Sequence, residues 1–233
     1  TGIYNAAITV GRIPYYLFYA LTIILLPAIS KASAERKHDE SQALVNKALR
    51  LLLLLLVPML TLLIVYREGA LSFFYGPAYL AAAAPMAIFA LGVGFLTVFY
   101  VLSFALNGAG LVKTPMWLAL FRLIIMIGLN LALIPRYELI GAALAVTLSS
   151  IFLAIGVLAS TWKHFQVRLS LWSFIGSALA AAVITLASRI LPDSNPLFLV
   201  SGGILFAAYF CILYLLRILT PEDLAPFRKL LGR

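Results

Sequence analysis

Seven long apolar runs dominate the sequence and limit what it can fold into. Only 11% of the residues are charged, against roughly 25% in an average soluble domain. A helix needs about 20 apolar residues to cross a membrane, and the backbone has to satisfy its own hydrogen bonds there. The runs therefore predict an all-α integral membrane protein with about seven transmembrane helices. They cover residues 3–30, 50–66, 83–106, 115–135, 138–161, 171–191 and 197–219.

The basic residues alternate between the two sides of this predicted arrangement. Twelve lie in or beside the connections after the first, third, fifth and seventh runs, and three lie in the other connections. Because cytoplasmic connections carry the excess of lysine and arginine, we expect the chain to start outside and to end in the cytoplasm. The same distribution accounts for the net charge of +9, so we expect no nucleic-acid partner. The charged stretch at 35–47 predicts a cytoplasmic surface helix.

Arg12 interrupts the first apolar run two residues before Pro14. Helical spacing puts four more polar residues on its face, namely Asn5, Thr9, Tyr16 and Tyr19. A polar stripe on a spanning helix favours a bundle interior or a water-filled cavity, and Pro14 predicts a kink beside it. The alternative is that Arg12 extends to the outer headgroups, which lie nearly within reach of its side chain.

Polar residues in two later runs are weaker candidates for substrate binding. Arg122 shares a helix face with Asn130, but its position near the cytoplasmic end of its run favours a side chain that extends to the headgroups there. Tyr100, Ser103 and Asn107 form a second stripe in the third run. Helix–helix packing is the simpler explanation of that stripe, with substrate contact as the alternative.

The sequence offers no group of residues suited to catalysis or metal binding. All eight acidic residues fall in predicted connections, interfaces or the tail, and His38 and His164 lie in separate charged connections. Cys211 is the single cysteine, so neither an internal disulfide nor a Cys/His metal cluster can form. We therefore expect no enzymatic activity, no metal and no cofactor. Apart from Glu138 at the very start of the fifth run, the predicted spans hold no carboxylate, whereas cation-coupled transporters usually bury one.

Five short stretches carry a family resemblance through their order and spacing. They are GIYNAA (2–7), LPAIS (26–30), FYGPAYLAAA (74–83), LNGAG (106–110) and NLALIPRYELIGAALAV (130–146). Together they resemble the C-terminal half of a polysaccharide-type lipid flippase, from the Wzx-like branch of the multidrug/oligosaccharidyl-lipid/polysaccharide exporter superfamily. That family usually has Tyr followed by Gly after its Ile-Pro pair, and Glu138 replaces this Gly here.

The resemblance implies two six-helix lobes around a central cavity, followed by two further helices. Residues 1–162 then form five spans of the C-terminal lobe, helices 8–12 of a 14-helix transporter. Residues 163–219 form helices 13 and 14, and 220–233 form a cytoplasmic tail. The first seven helices would precede this chain. The expected location is the bacterial cytoplasmic (inner) membrane.

The resemblance also implies a function, namely flipping of an undecaprenyl-diphosphate-linked oligosaccharide for surface polysaccharide such as O-antigen, by alternating access. A peptidoglycan precursor is the other cargo that stays open. Expected partners are this lipid-linked oligosaccharide, membrane lipid and other polysaccharide assembly proteins. The substrate-binding candidates are Arg12, Asn5, Thr9, Tyr16, Tyr19, Arg122, Asn130, Tyr100 and Asn107.

Two other functions compete with this one. A cation-coupled multidrug exporter of the same superfamily is disfavoured by the lack of a buried acid and by the presence of Arg12, which would repel a cationic drug. A membrane glycan polymerase or ligase would need a catalytic outer loop, and the predicted outer connections are too short to provide one.

Overall fold

The computed structural model describes residues 2–167, 171–191 and 197–219, and within these ranges the chain is helical without a β-strand. A π-helical turn, Leu52–Leu56, joins α3 to α4, and a 3₁₀ turn, Pro77–Ala82, precedes α6. The predicted tail at 220–233 and Arg168 lie outside the described residues. The α-helices are α1 Gly2–Gly11, α2 Ile13–Ala34, α3 His38–Leu51, α4 Val57–Val65, α5 Arg67–Tyr75, α6 Ala83–Gly108, α7 Lys113–Phe165, α8 Leu171–Ala187 and α9 Leu197–Leu215.

Five helical runs in the described ranges are long and apolar enough to cross a membrane, judged by length and composition. They are Ile13–Ala34, His38–Val65, Pro77–Gly108, Lys113–Phe165 and Leu197–Leu215. The 53 residues of α7 suffice for two crossings, and α8 is a shorter apolar helix of 17 residues. The predicted all-α membrane fold is therefore confirmed, with α7 accounting for the fourth and fifth apolar runs and α8 for the sixth.

α7 is a helical hairpin. Glu138 leaves the helical conformation, with φ 49° and ψ −120°. Across this turn a Cβ on Gly141 would meet the carbonyl of Leu133, and further along a Cβ on Gly156 would lie 2.5 Å from the Leu118 side chain. Gly141 and Leu133 each lie four residues from position 137, and Gly156 and Leu118 each lie nineteen residues from it. The legs 113–137 and 138–165 therefore run antiparallel and in register.

The charged stretch that predicts a surface helix continues directly into a spanning helix. α3, the π-helical turn and α4 form one run of 28 residues. At 1.5 Å per residue this run is about 42 Å long, which exceeds the roughly 30 Å of hydrocarbon, so its first turns extend beyond the membrane. Before it, Lys37 pairs with Glu35 at 2.6 Å and with Glu40 at 3.8 Å. The hydrogen bond from Lys37 lowers the pKa of the Glu35 carboxyl.

Two clusters of buried side chains hold the helices together. One cluster joins α2, α3, α6 and α7 towards the end of the lobe where α2 ends at Ala34 and α7 ends at Phe165, which we call the basic end. The other joins α1, α5 and α6 to α8 and α9, so the last two helices share a core with the preceding ones. At the basic end, Arg50 also donates a hydrogen bond of 2.5 Å to the carbonyl of Ile218, just after α9.

The turn of α7 generates a prediction about stability. A side chain at an unfavourable positive φ costs on the order of 1–3 kcal/mol, and glycine avoids this cost because it has no Cβ. We therefore expect Glu138→Gly to stabilise the protein by about 1 kcal/mol. The measurement is the midpoint of thermal unfolding in detergent.

Glu138→Ala is the matched control, because it removes the same carboxylate and keeps a Cβ. We expect its midpoint to stay near that of the wild type. If both variants raised the midpoint equally, the loss of the charge would explain the increase, and the argument from backbone conformation would be contradicted.

Candidate functional site

The first spanning segment is interrupted at Arg12, as Pro14 predicts. α1 ends at Gly11 and α2 begins at residue 13, because Pro14 has no N–H to donate to the carbonyl of Val10. Gly11 lets this break approach α6, since a Cβ there would stand 2.8 Å from the ring of Phe89. The break is therefore packed against α6 with Arg12 at its corner.

Arg12 is exposed and has no acidic partner among the described residues. Its guanidinium carbon lies 6.0 Å from the centroid of the Phe89 ring, a cation–π distance. It also interacts electrostatically with Tyr4 and Tyr15. Within the described ranges it forms neither an ion pair nor a side-chain hydrogen bond. Aromatic groups of the lobe therefore flank the charge, and its other side is open.

The whole predicted polar stripe lies on this open face. The exposed residues are Asn5, Thr9, Arg12, Tyr16 and Tyr19. The opposite face of α1 packs into the lobe through Ala6, Ala7 and Val10, each at most 2% exposed. The five residues therefore share one exposed face, and the cavity that this face would line stays a prediction.

Tyr15, which the sequence reasoning missed, is the centre of the site. Its ring centroid lies 5.5 Å from Tyr16, 5.9 Å from Tyr19 and 5.4 Å from Tyr100. The last contact joins α2 to α6, which the spacing within one helix cannot reveal. The available signal was the tyrosine pair four residues apart, Tyr15 and Tyr19, next to the proline break.

Arg122 reaches the same cluster from the first leg of α7. Its side chain is half-buried, its Nε is buried without a hydrogen-bond partner, and it interacts electrostatically with Tyr100. The structure therefore connects Arg12 to Arg122 through the two tyrosines Tyr15 and Tyr100. Three helices that are distant in sequence contribute to this group.

Two predicted residues lie apart from the cluster. Asn107 is half-buried near the basic end of α6, and its Oδ1 is buried without a partner in the described part of the chain. Ser103, one turn before it, is 6% exposed and also lacks a partner there. Asn130 is half-buried about two turns beyond Arg122, and no hydrogen bond joins it to the other candidates.

An apolar cavity of about 420 Å³ adjoins the helix break. Ile13 and Pro14 form one wall, and α4, α5 and α9 supply the others through residues such as Leu63, Phe74 and Phe206. Its lining is almost wholly apolar. The sequence did not indicate this cavity, because its walls come from four helices whose relative positions the apolar runs leave open.

The two histidines, which the sequence places in separate connections, meet at one polar cavity. His38 and His164 both line a space of about 400 Å³ at the basic end, together with Asp39 and Gln42. Gln42 donates a hydrogen bond of 2.8 Å to the carbonyl of Gln166 across it. Within the described ranges, no group of three His, Cys, Asp or Glu side chains could hold a metal ion.

Comparison with known proteins assigns the chain to a family. A family model described as lipid II flippase MurJ matches residues 2–210. A solved structure of lipid II flippase MurJ in an inward closed conformation has a TM-score of 0.71 and 24% sequence identity. That match covers 91% of this chain and 48% of the other, so the chain spans about half the length of that flippase. The findings agree with the predicted class of lipid-linked flippases and do not single out its polysaccharide-type branch. The chain belongs to the MurJ family of lipid II flippases.

Proposed function

We propose that the protein moves a polyprenyl-diphosphate-linked saccharide across the bacterial cytoplasmic membrane, and that this chain forms one lobe of an alternating-access flippase. The observation that carries the proposal is Arg12, a cation without an acidic partner in the described ranges, at a break in a spanning segment. The family match supports the same class of transport. We propose no catalytic step.

The unpaired charge determines what kind of ligand suits the exposed stripe. A guanidinium inside a bilayer costs several kcal/mol unless water or an anion meets it. A diphosphate supplies that anion, and arginine can donate two parallel hydrogen bonds to phosphate oxygens. The neighbouring Tyr16 and Tyr19 offer hydroxyl groups and ring faces for sugar, and Asn5 and Thr9 extend this polar surface.

The apolar cavity supplies a place for the lipid chain of such a cargo. It begins at Ile13 and Pro14, immediately after Arg12, and it extends along α9 past Gly202. A lipid-linked cargo has the matching arrangement, with a charged diphosphate attached to a long apolar polyprenyl tail. The adjacency of cation and apolar cavity therefore favours a lipid-linked cargo over a water-soluble one.

Two cargoes are candidates, a peptidoglycan precursor and an oligosaccharide for surface polysaccharide. The match to the lipid II flippase MurJ model favours lipid II, a peptidoglycan precursor. The resemblance to polysaccharide exporters favours an oligosaccharide for surface polysaccharide, with assembly proteins of that pathway as partners. Both cargoes carry the polyprenyl diphosphate that Arg12 would bind, so we propose the peptidoglycan precursor first and the oligosaccharide second. No observation favours a cationic drug.

The arrangement in the membrane is part of the proposal. The distribution of basic residues supports an outer start for α1 and a cytoplasmic basic end. We propose that residues 1–162 belong to the transporter lobe and that α8 and α9 are two additional helices. Pro14 and Pro58, which follows the π-helical turn, are candidate flexing points.

Replacement of Arg12 tests the proposed site. We expect Arg12→Ala in the whole protein to slow transfer of a fluorescent lipid-linked disaccharide in proteoliposomes about tenfold or more, because one charge-assisted contact is lost. We expect Arg12→Lys to restore only part of the rate, since an ammonium cannot bind phosphate in the bidentate manner. Wild-type transfer by Arg12→Ala at matched protein level would exclude the site.

Filling the apolar cavity tests the place of the lipid chain. A Cβ on Gly202 would meet no atom within 4 Å, so a phenyl ring there enters open space. We expect Gly202→Phe to slow transfer and to leave the thermal midpoint unchanged. Gly128→Phe is the control, because Gly128 is equally unobstructed and lies outside the cavity. Equal rates for the two variants would contradict a role for the cavity.

Labelling of single cysteines tests the orientation. In a Cys211→Ser background, we expect cysteine at Arg136 to react with a membrane-impermeant maleimide in intact cells. Cysteine at Lys113, at the other end of the same leg, should react only after the membrane is opened. The reverse labelling pattern would contradict the proposed orientation.

A further inference from the structure

Arg122 is half-buried on α7, and no acidic residue pairs with it in the described part of the chain. Its Nε is buried without a hydrogen-bond partner, and it forms no ion pair among the described residues. The acidic residues of the described ranges stand in connections or at helix ends, and they are Glu35, Asp39, Glu40, Glu68 and Glu138. Because a partly buried, unpaired cation is costly, an anion from outside the lobe would stabilise this position.

Extension to the headgroups, which the sequence favours for Arg122, does not account for its buried Nε. Arg122 stands nine residues, about 13 Å, into α7 from Lys113. The group with which it interacts is Tyr100, eight residues inside the end of α6 at Gly108. Arg122 and Tyr100 therefore both stand about two turns from the basic end.

Close contacts of glycine residues fix the depth of Arg12 along α6. Gly11 faces Phe89, and Gly108 faces Ile29, so α1 and α2 run parallel to α6. The guanidinium of Arg12 lies over Phe89, six residues from the start of α6. Arg12 is therefore in the half of the lobe that is further from the basic end.

The second leg of α7 gives the depth of Arg122. Thr147 on that leg packs against Gly92 of α6. Because the two legs are in register, Arg122 stands opposite position 152, which is five residues beyond Thr147 towards the basic end. Arg122 is thus nearer the basic end than Arg12.

The two arginines stand beside different parts of α6. Phe89 and Tyr100, which mark their positions, are eleven residues apart on α6, or about 16 Å of helix. Tyr15, three residues after Arg12, lies in this interval, since its ring centroid is 5.4 Å from that of Tyr100. The lobe therefore presents two cationic positions joined by aromatic rings.

We propose that Arg122 is a second phosphate-binding position, which receives the diphosphate of the cargo near the basic end before Arg12 binds it further along. This inference rests on the proposed function and adds an order to it. The cargo's phosphates move from one cation to the next past Tyr100 and Tyr15. Each arginine then binds the diphosphate separately, at a different stage of the transfer.

Removal of the charge tests the role of Arg122 in transfer. Arg122→Met in the whole protein keeps the length of the side chain, and the probe is a fluorescent polyprenyl-diphosphate disaccharide in proteoliposomes. We expect transfer to slow about tenfold or more. We also expect the thermal midpoint to stay equal or to rise, because an uncompensated charge has been removed. A lower midpoint would show a structural role and overturn the inference.

Binding of the same probe distinguishes two positions from one shared site. With two positions, Arg12→Met and Arg122→Met each keep measurable binding while transfer is slow, and the double variant loses binding. If each single variant loses as much binding as the double variant, the two arginines form one site and the inference is overturned.

Arg136→Met, at the exposed far end of the same leg, is the matched control and should transfer the probe at the wild-type rate. Wild-type transfer by Arg122→Met combined with slow transfer by Arg12→Met would overturn this inference and leave the proposed function intact. Wild-type transfer by both variants would contradict the proposed function itself.

Discussion

Every polar group in the hydrocarbon of a membrane needs a partner within the protein, and the fold of this lobe follows from that need. Backbone groups find partners within helices, and several hydroxyl groups find them in neighbouring carbonyls. Thr147, for example, donates to the carbonyl of Ile88 on α6 at 2.7 Å. Against this background two charged side chains are informative. Arg12 and Arg122 lie at different depths of the same lobe, and each lacks a counterion in the described part of the chain.

The sequence predicted the spans well because length and apolarity are local properties. It also placed a turn at Glu138, where the polysaccharide-type flippases that the sequence resembles carry glycine, and a positive φ there suits glycine. It was less successful with the charged stretch that became α3. Composition showed an exposed helix, but only the structure shows that a π-helical turn carries this helix into α4 without interruption.

The site was predictable on one helix and not between helices. A period of 3.6 residues was enough to place Arg12 and its stripe on one face. The contact between Tyr15 and Tyr100 depends on how α2 is set against α6, and that register comes from close approaches such as Gly11 on Phe89. For Arg122 the sequence showed only its distance from the end of an apolar run, and that distance predicted a side chain extended to the headgroups. The structure adds the neighbouring tyrosine, which favours the interior.

The continuity of α3 with α4 has a mechanical consequence. The 14 residues of α3 form a rigid arm of about 21 Å on the spanning helix, and this arm packs against α2, α6 and α7 at the basic end. A tilt of the spanning helix by roughly 10° would displace the tip of such an arm by about 4 Å. The π-helical turn at its base is the natural pivot. A tilt of the helix in the bilayer would thereby be transmitted to the water, where it would displace His38 and its neighbours at the tip of the arm.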